Sequence, residues 1–161
     1  MTDYTELNRE MAALSEGSEH MITVLANAAA LIYHRLEDIN WAGFYVLEED
    51  VLFLGPFQGK PACTKIKTGK GVCGTAVAEN RTVRVENVHC FKGHIACDSA
   101  SRSEIVVPLR NRNGIIGVLD IDSPSENRFS QEDEIGIETV AKTIENALSK
   151  TKCTKIGTEA D

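Results

Sequence analysis

The sequence predicts an α+β domain, a central antiparallel sheet of about six strands with N- and C-terminal helices packed together on one face. Three observations predict it. Apolar residues recur at helical spacing at both ends of the chain, and the middle divides into short aromatic and β-branched runs separated by turn residues. The length, 161 residues, suits a single domain with its own core. No repeat, linker or low-complexity segment interrupts it, so the domain is expected to span 1–150, with 151–161 as a polar tail.

Taken in order, residues 2–36 read as two helices. Met21, Leu25, Ala28, Ile32 and Leu36 share one face of the second, and Ser18 is placed to cap it. Residues 39–47 and 51–57 form a hairpin across the acidic turn Glu48-Glu49-Asp50. After Gly69 and Gly71, residues 72–79 fit a short helix and 81–88 a strand or extended loop, while 88–102 looks irregular. Residues 104–109 and 115–121 are strands whose connection contains Asn113-Gly114, a pair that favours the positive backbone angles of a tight hairpin turn. Ser130, with Asp133 three residues on, opens an amphipathic helix to about Leu148.

Composition excludes some functions. A net charge of −7 with no basic run argues against nucleic acid, which demands a surplus of lysine and arginine on some face. The N-terminus lacks the basic start and apolar core of a secretory signal, and no apolar run reaches membrane-spanning length. A cytoplasmic protein is expected, where an odd set of five cysteines reads as free or catalytic thiols. Residues 69–98 hold three of those cysteines and two of the four histidines. The residues to explain are Cys63, Cys73, Cys90 and Cys97.

Several short pieces occur together and in order. They are Asn40-Trp41-Ala42-Gly43-Phe44-Tyr45, Leu54-Gly55-Pro56-Phe57-Gln58-Gly59 leading to Cys63, residues 69–76 with Cys73, Gly93-His94-Ile95-Ala96-Cys97-Asp98, Ser103-Glu104-Ile105-Val106-Val107-Pro108 and Val118-Leu119-Asp120-Ile121-Asp122-Ser123. Over residues 40–148 the chain resembles a GAF domain, and more narrowly the free methionine-(R)-sulfoxide reductases. The resemblance implies a reductase of free L-methionine-(R)-sulfoxide with no metal or organic cofactor and thioredoxin as electron donor. It places the nucleophile at Cys97, two further active-site cysteines at Cys63 and Cys73, pocket aromatics at Trp41 and Tyr45, and substrate-binding acids at Glu104, Asp120 and Asp122. Pairing of GAF domains through their terminal helices makes a homodimer an expectation by analogy. Cys90 stands where this family does not usually have cysteine, Lys92 replaces a common proline, and Cys153 reads as a passive thiol.

The chemistry agrees with those residues on its own terms. A sulfoxide sulfur is a poor electrophile until its oxygen is protonated, so a thiolate and an acid are needed together, here Cys97 and Glu104. The resulting sulfenic acid condenses with a second thiol, for which Cys63 is the expected resolver and Cys73 the relay or substitute. Asp120 and Asp122 flank Ile121 in a strand, so alternation puts both carboxylates on one face, ready for an ammonium group. Their mutual repulsion raises the proton affinity of one. On residue type alone other readings stand: a lone cysteine is more often a small core residue than a nucleophile, Trp41 and Tyr45 read equally as core aromatics, and the two aspartates as a solvated strand face. His89 and His94 read first as loop anchors.

Two other functions compete. A zinc site drawn from Cys63, Cys73, His89, Cys90, His94 and Cys97 has the right ligand types, but no C-x-x-C or H-x-x-x-H knuckle supports it. A non-catalytic GAF sensor of a small molecule has no reason to gather three cysteines around acids, and such sensors usually sit in longer chains with an output domain.

Overall fold

The computed structural model describes residues 1–93 and 100–152. Helices α1 (Tyr4–Ser15) and α2 (Met21–Arg35) precede strands β1 (Trp41–Glu48), β2 (Val51–Gly59) and β3 (Lys65–Lys67). Then come α3 (Gly71–Glu79), β4 (Val83–Val85), a single 3-10 turn (Val88–Cys90), β5 (Ser103–Asn111), β6 (Gly114–Ser123) and α4 (Gln131–Ser149). The strands form one sheet in the order β3-β2-β1-β6-β5-β4, every pairing antiparallel. Thus the first and last hairpins meet at β1 and β6 in the sheet's centre.

Strand alternation divides the apolar side chains between two cores. Ala42, Phe44, Ile105, Val107, Leu119 and Ile121 point to the face covered by α1, α2 and α4, where Leu7, Met11, Leu25, Ile32, Ile137 and Ile144 meet them. Trp41, Tyr45, Val106 and Val118 point to the opposite face, which α3 covers with Val72, Cys73 and Ala76. The helical ends of the chain therefore share one face, as the apolar spacing predicts, and the shorter second core contains the chemistry. Among the described residues no helix is long and apolar enough to cross a membrane.

Local signals explain most boundaries. Ser130 accepts from the Asp133 amide while the Asp133 carboxylate accepts from the Ser130 amide, a reciprocal capping box that starts α4. The Tyr4 hydroxyl also donates to Asp133 and Arg128 pairs with it at 3.0 Å, so that one carboxylate ties α1 to the start of α4.

Some expectations are corrected. Ser18 does not cap α2: the cap position is His20, with no side-chain bond. Residues 19 and 20 are instead held extended against the chain after α4, through the Lys152 amide on the Glu19 carbonyl at 2.9 Å and a bridge between His20 and Lys152, so the helix begins later. Met21, at its start, is 40% exposed and stands outside the buried face. In the β5–β6 hairpin the connecting residues are Arg112 and Asn113, because Asn111 pairs with Gly114. Only Gly114 has a positive φ, and Asn111 organises the turn by accepting from the Asn113 amide at 2.8 Å. Strand β3 was not expected. Its Lys-Ile-Lys alternation is too short to read as a strand, and its place comes from pairing with Val51–Phe53.

Candidate active site

Three rows of side chains cross the α3-facing side of the sheet. Asp122 lies between Trp41 and Glu104, Asp120 between Gly43 and Val106, and Val118 between Tyr45 and Pro108. Asp120 therefore stands opposite a residue without a side chain, flanked by two large aromatics. The missing side chain is required: a Cβ on Gly43 would lie 2.3 Å from the Phe57 Cβ and 2.8 Å from the Trp41 ring. Trp41 and Phe57 close over that gap, with ring centroids 5.2 Å apart and planes 14° from parallel, and Tyr45 follows at 6.0 Å from Trp41. The three rings form one aromatic wall beside the acids.

The polar ends of the two predicted aromatics have a further task. Trp41 Nε1 donates to the Lys60 carbonyl at 3.1 Å, and the Tyr45 hydroxyl donates to the Cys63 carbonyl at 2.9 Å. Both bonds hold the segment that follows β2, on which Cys63 sits. Burial, and then the negative charge of Asp120, push the Tyr45 phenol far above its ordinary value, so it remains a neutral donor. Cys63 itself is disulfide-bonded, whereas Cys73 and Cys90 are free, the first buried and the second exposed.

Cys73 enters from the first turn of α3. That helix sits close to β3 because Gly74 allows it: a Cβ there would lie 2.6 Å from the Lys67 carbonyl oxygen, and the Gly74 carbonyl accepts from the Gly69 amide at 2.9 Å. The Cys73 Sγ meets a carboxylate oxygen of Glu104 from β5 and one of Asp120 from β6, all within 4.8 Å of one another. The three are almost fully enclosed, at 3%, 7% and 6% exposure. Asp122, next on the same face, is half-buried.

Such packing changes protonation. Burial and then the charge of Asp120 raise Glu104 well above the usual carboxylate range, and the same causes push the Cys73 thiol up. Asp120 is raised by burial too, but hydrogen bonds from Glu104 and Cys73 pull it back down. Of the three groups, Glu104 and Cys73 are driven toward their protonated, donor forms, and both lie in hydrogen-bond contact with the Asp120 carboxylate. One of its oxygens, Oδ1, is buried with no hydrogen-bond partner among the described residues.

Trp41, Tyr45, Glu104, Asp120 and Cys73 thus come together, with Asp122 adjoining and Cys63 on the pinned segment. Cys97, the expected nucleophile, lies outside the described residues, as do His94 and Cys153. The described chain on either side of 94–99 is fastened close to the acids: the Val88 amide donates to the Arg102 carbonyl at 2.8 Å, the Arg102 amide to the Ser123 carbonyl at 2.7 Å, and Asn40 to Ser101 at 3.2 Å. Sequence reasoning gave no role to Gly43 or Phe57. The signal lies in the hairpin register, where two large rings each meet a glycine on the other strand, Trp41 opposite Gly59 and Phe57 opposite Gly43.

A GAF domain model matches residues 13–148. The chain is 57% identical over 148 residues to a free methionine-R-sulfoxide reductase of Escherichia coli K12, covering 92% of this chain and 90% of that one. It belongs to the free methionine-R-sulfoxide reductases of the GAF family. Two solved structures agree in fold with this family member. The fRMsr of Staphylococcus aureus in complex with substrate is 54% identical, with a TM-score of 0.88 over 92% of this chain and 97% of that one. The free methionine-R-sulfoxide reductase of Neisseria meningitidis, also in complex with its substrate, is 40% identical, with a TM-score of 0.88 over 91% and 89%. Membership makes the chain an oxidoreductase, and the α+β fold with its central antiparallel sheet is the fold of that family.

Proposed function

We propose that this protein reduces free L-methionine-(R)-sulfoxide to L-methionine in the cytoplasm, with thioredoxin as the electron source and no metal or organic cofactor. The observation that carries the reading is the buried acid cluster beside the aromatic wall, with Asp120 Oδ1 unpartnered among the described residues. A buried carboxylate lacking a partner is costly until a cation arrives, and the ammonium group of a free amino acid supplies one. A peptide amide brings no such charge, so a sulfoxide within a protein is rejected. Trp41, Tyr45 and Phe57 offer rings to the thioether methyl.

Glu104, held protonated, gives its proton to the sulfoxide oxygen as the Cys97 thiolate attacks the sulfur. The oxygen ends on Cys97 as a sulfenic acid, and methionine leaves with its sulfur reduced by two electrons. The Cys63 thiol then attacks that sulfenic sulfur, releasing water and forming a disulfide that the thioredoxin dithiol reduces. The disulfide at Cys63 and the free thiol at Cys73 support Cys63 as resolver. Cys73, buried and held neutral, fits a proton-sharing neighbour of Asp120 better than a nucleophile.

The test is product analysis of cysteine variants. Cys97→Ser is expected to abolish turnover, and Cys63→Ser to release one methionine per chain and stop with a sulfenic acid that dimedone traps. Wild-type turnover by Cys97→Ser overturns the assignment.

A further inference from the structure

We propose that Cys73, Glu104 and Asp120 form a binding site for zinc, and that a zinc ion held there shuts out the ammonium group of the substrate. The second half rests on the function proposed above; the first does not.

The donor set is the kind zinc takes. It combines one cysteine sulfur with two carboxyl groups, which release their protons as the metal binds, and the sulfur ligand favours zinc over magnesium or calcium, which prefer oxygen alone. The three donors come from separate rigid elements, α3, β5 and β6, and already lie within 4.8 Å of one another. A tetrahedral zinc with bonds of about 2.0–2.3 Å needs its ligand atoms roughly 3.5 Å apart. Small side-chain rotations close that difference with the backbone unmoved. A fourth position is left for water.

A separate observation points to a cation. Asp120 Oδ1 is buried without a hydrogen-bond partner among the described residues, in a residue only 6% exposed. Among the described residues no lysine or arginine forms a salt bridge with Glu104 or Asp120. An open carboxylate oxygen beside a carboxyl and a thiol that can shed their protons to a metal forms a buried site with no paired cation among the described residues. The same oxygen that attracts an ammonium attracts a metal, which accounts for mutual exclusion. Zinc there also occupies Glu104, the proton donor, so the loaded enzyme is inactive by two routes.

Cobalt(II) chloride reports the site directly, because a cobalt–thiolate bond absorbs in the near ultraviolet. With Cys63, Cys90, Cys97 and Cys153 changed to serine so that Cys73 is the sole thiol, the protein is expected to take up one cobalt per chain and develop that absorption. Zinc chloride should bleach it. Cys73→Ser should remove the absorption, and Asp120→Asn should weaken binding at least tenfold with the circular dichroism unchanged. Should Cys73→Ser fail to fold, Asp120→Asn decides. Absence of the absorption, or its survival in Cys73→Ser or at full affinity in Asp120→Asn, overturns the site. Free methionine sulfoxide is expected to raise the apparent metal dissociation constant in proportion to its concentration; an unchanged constant overturns the exclusion while leaving the site. Sulfoxide reduction measured in metal-free buffer reports separately on the catalytic reading.

Discussion

Replacing Asp120 with asparagine should move stability and substrate affinity in opposite directions. The carboxylate is 6% exposed and one of its oxygens has no partner among the described residues, while the side chain shares hydrogen bonds with Glu104 and Cys73. A buried polar group left unsatisfied costs about 1–3 kcal/mol, and asparagine preserves the shape while removing the charge. A gain of about 1 kcal/mol, half offset by the amide's own needs, raises Tm by ~2–4 °C per kcal/mol in a chain of this size. Binding should weaken, since a hydrogen bond to a charged group is worth about 1.5–3 kcal/mol, or roughly 10- to 150-fold in kcat/KM. Differential scanning calorimetry of the ligand-free protein and initial rates over a range of sulfoxide concentration test both. A lower Tm with an unchanged kcat/KM would refute the idea that Asp120 is strained for the sake of an ammonium group.

Glu104→Gln mimics the protonated acid, so it should fold as well as wild type near neutral pH, hold substrate with little change in KM, and lose at least tenfold in kcat. The same variant tests the linkage. Because burial and Asp120 raise Glu104 above its unfolded value of about 4.5, the folded state binds more protons than the unfolded one above that pH, and stability falls as pH rises through the window up to the folded value. Chemical denaturation at pH 5 and pH 8 should show wild type losing more stability across that interval than Glu104→Gln; parallel curves contradict the assignment. Tyr45→Phe removes the bond to the Cys63 carbonyl and should lower stability by about 1 kcal/mol while slowing disulfide closure in a single turnover, with methionine release unchanged. Gly43→Ala places a Cβ 2.3 Å from Phe57 and should cost about 1–3 kcal/mol by urea denaturation, displacing Trp41 with a change in its fluorescence.

Features whose cause is local were legible in the sequence. The period-two aromatics of β1 placed Trp41 and Tyr45 on one face, alternation in β6 put Asp120 and Asp122 together opposite Leu119 and Ile121, and Ser130 with Asp133 spelled out the start of α4. What escaped depends on partners far along the chain. Ser18 looks like a cap until Lys152 pairs with residues 19 and 20. Residues 65–67 become a strand only because Val51–Phe53 pair with them. Phe57 becomes part of the aromatic wall only because Gly43 leaves room across the hairpin. For Cys73, the family resemblance implies a redox thiol, whereas burial and then the charge of Asp120 push its thiol toward the neutral form, causes that lie in the tertiary packing.

Release of methionine from each sulfoxide epimer, followed through NADPH oxidation with thioredoxin and thioredoxin reductase, tests the central claim most directly. Free L-methionine-(R)-sulfoxide should be consumed at a rate at least a hundredfold above the S epimer and above the same sulfoxide within a peptide. Turnover of the S epimer alone, or of the peptide-bound sulfoxide as readily as the free amino acid, contradicts an acid cluster built to receive an ammonium group.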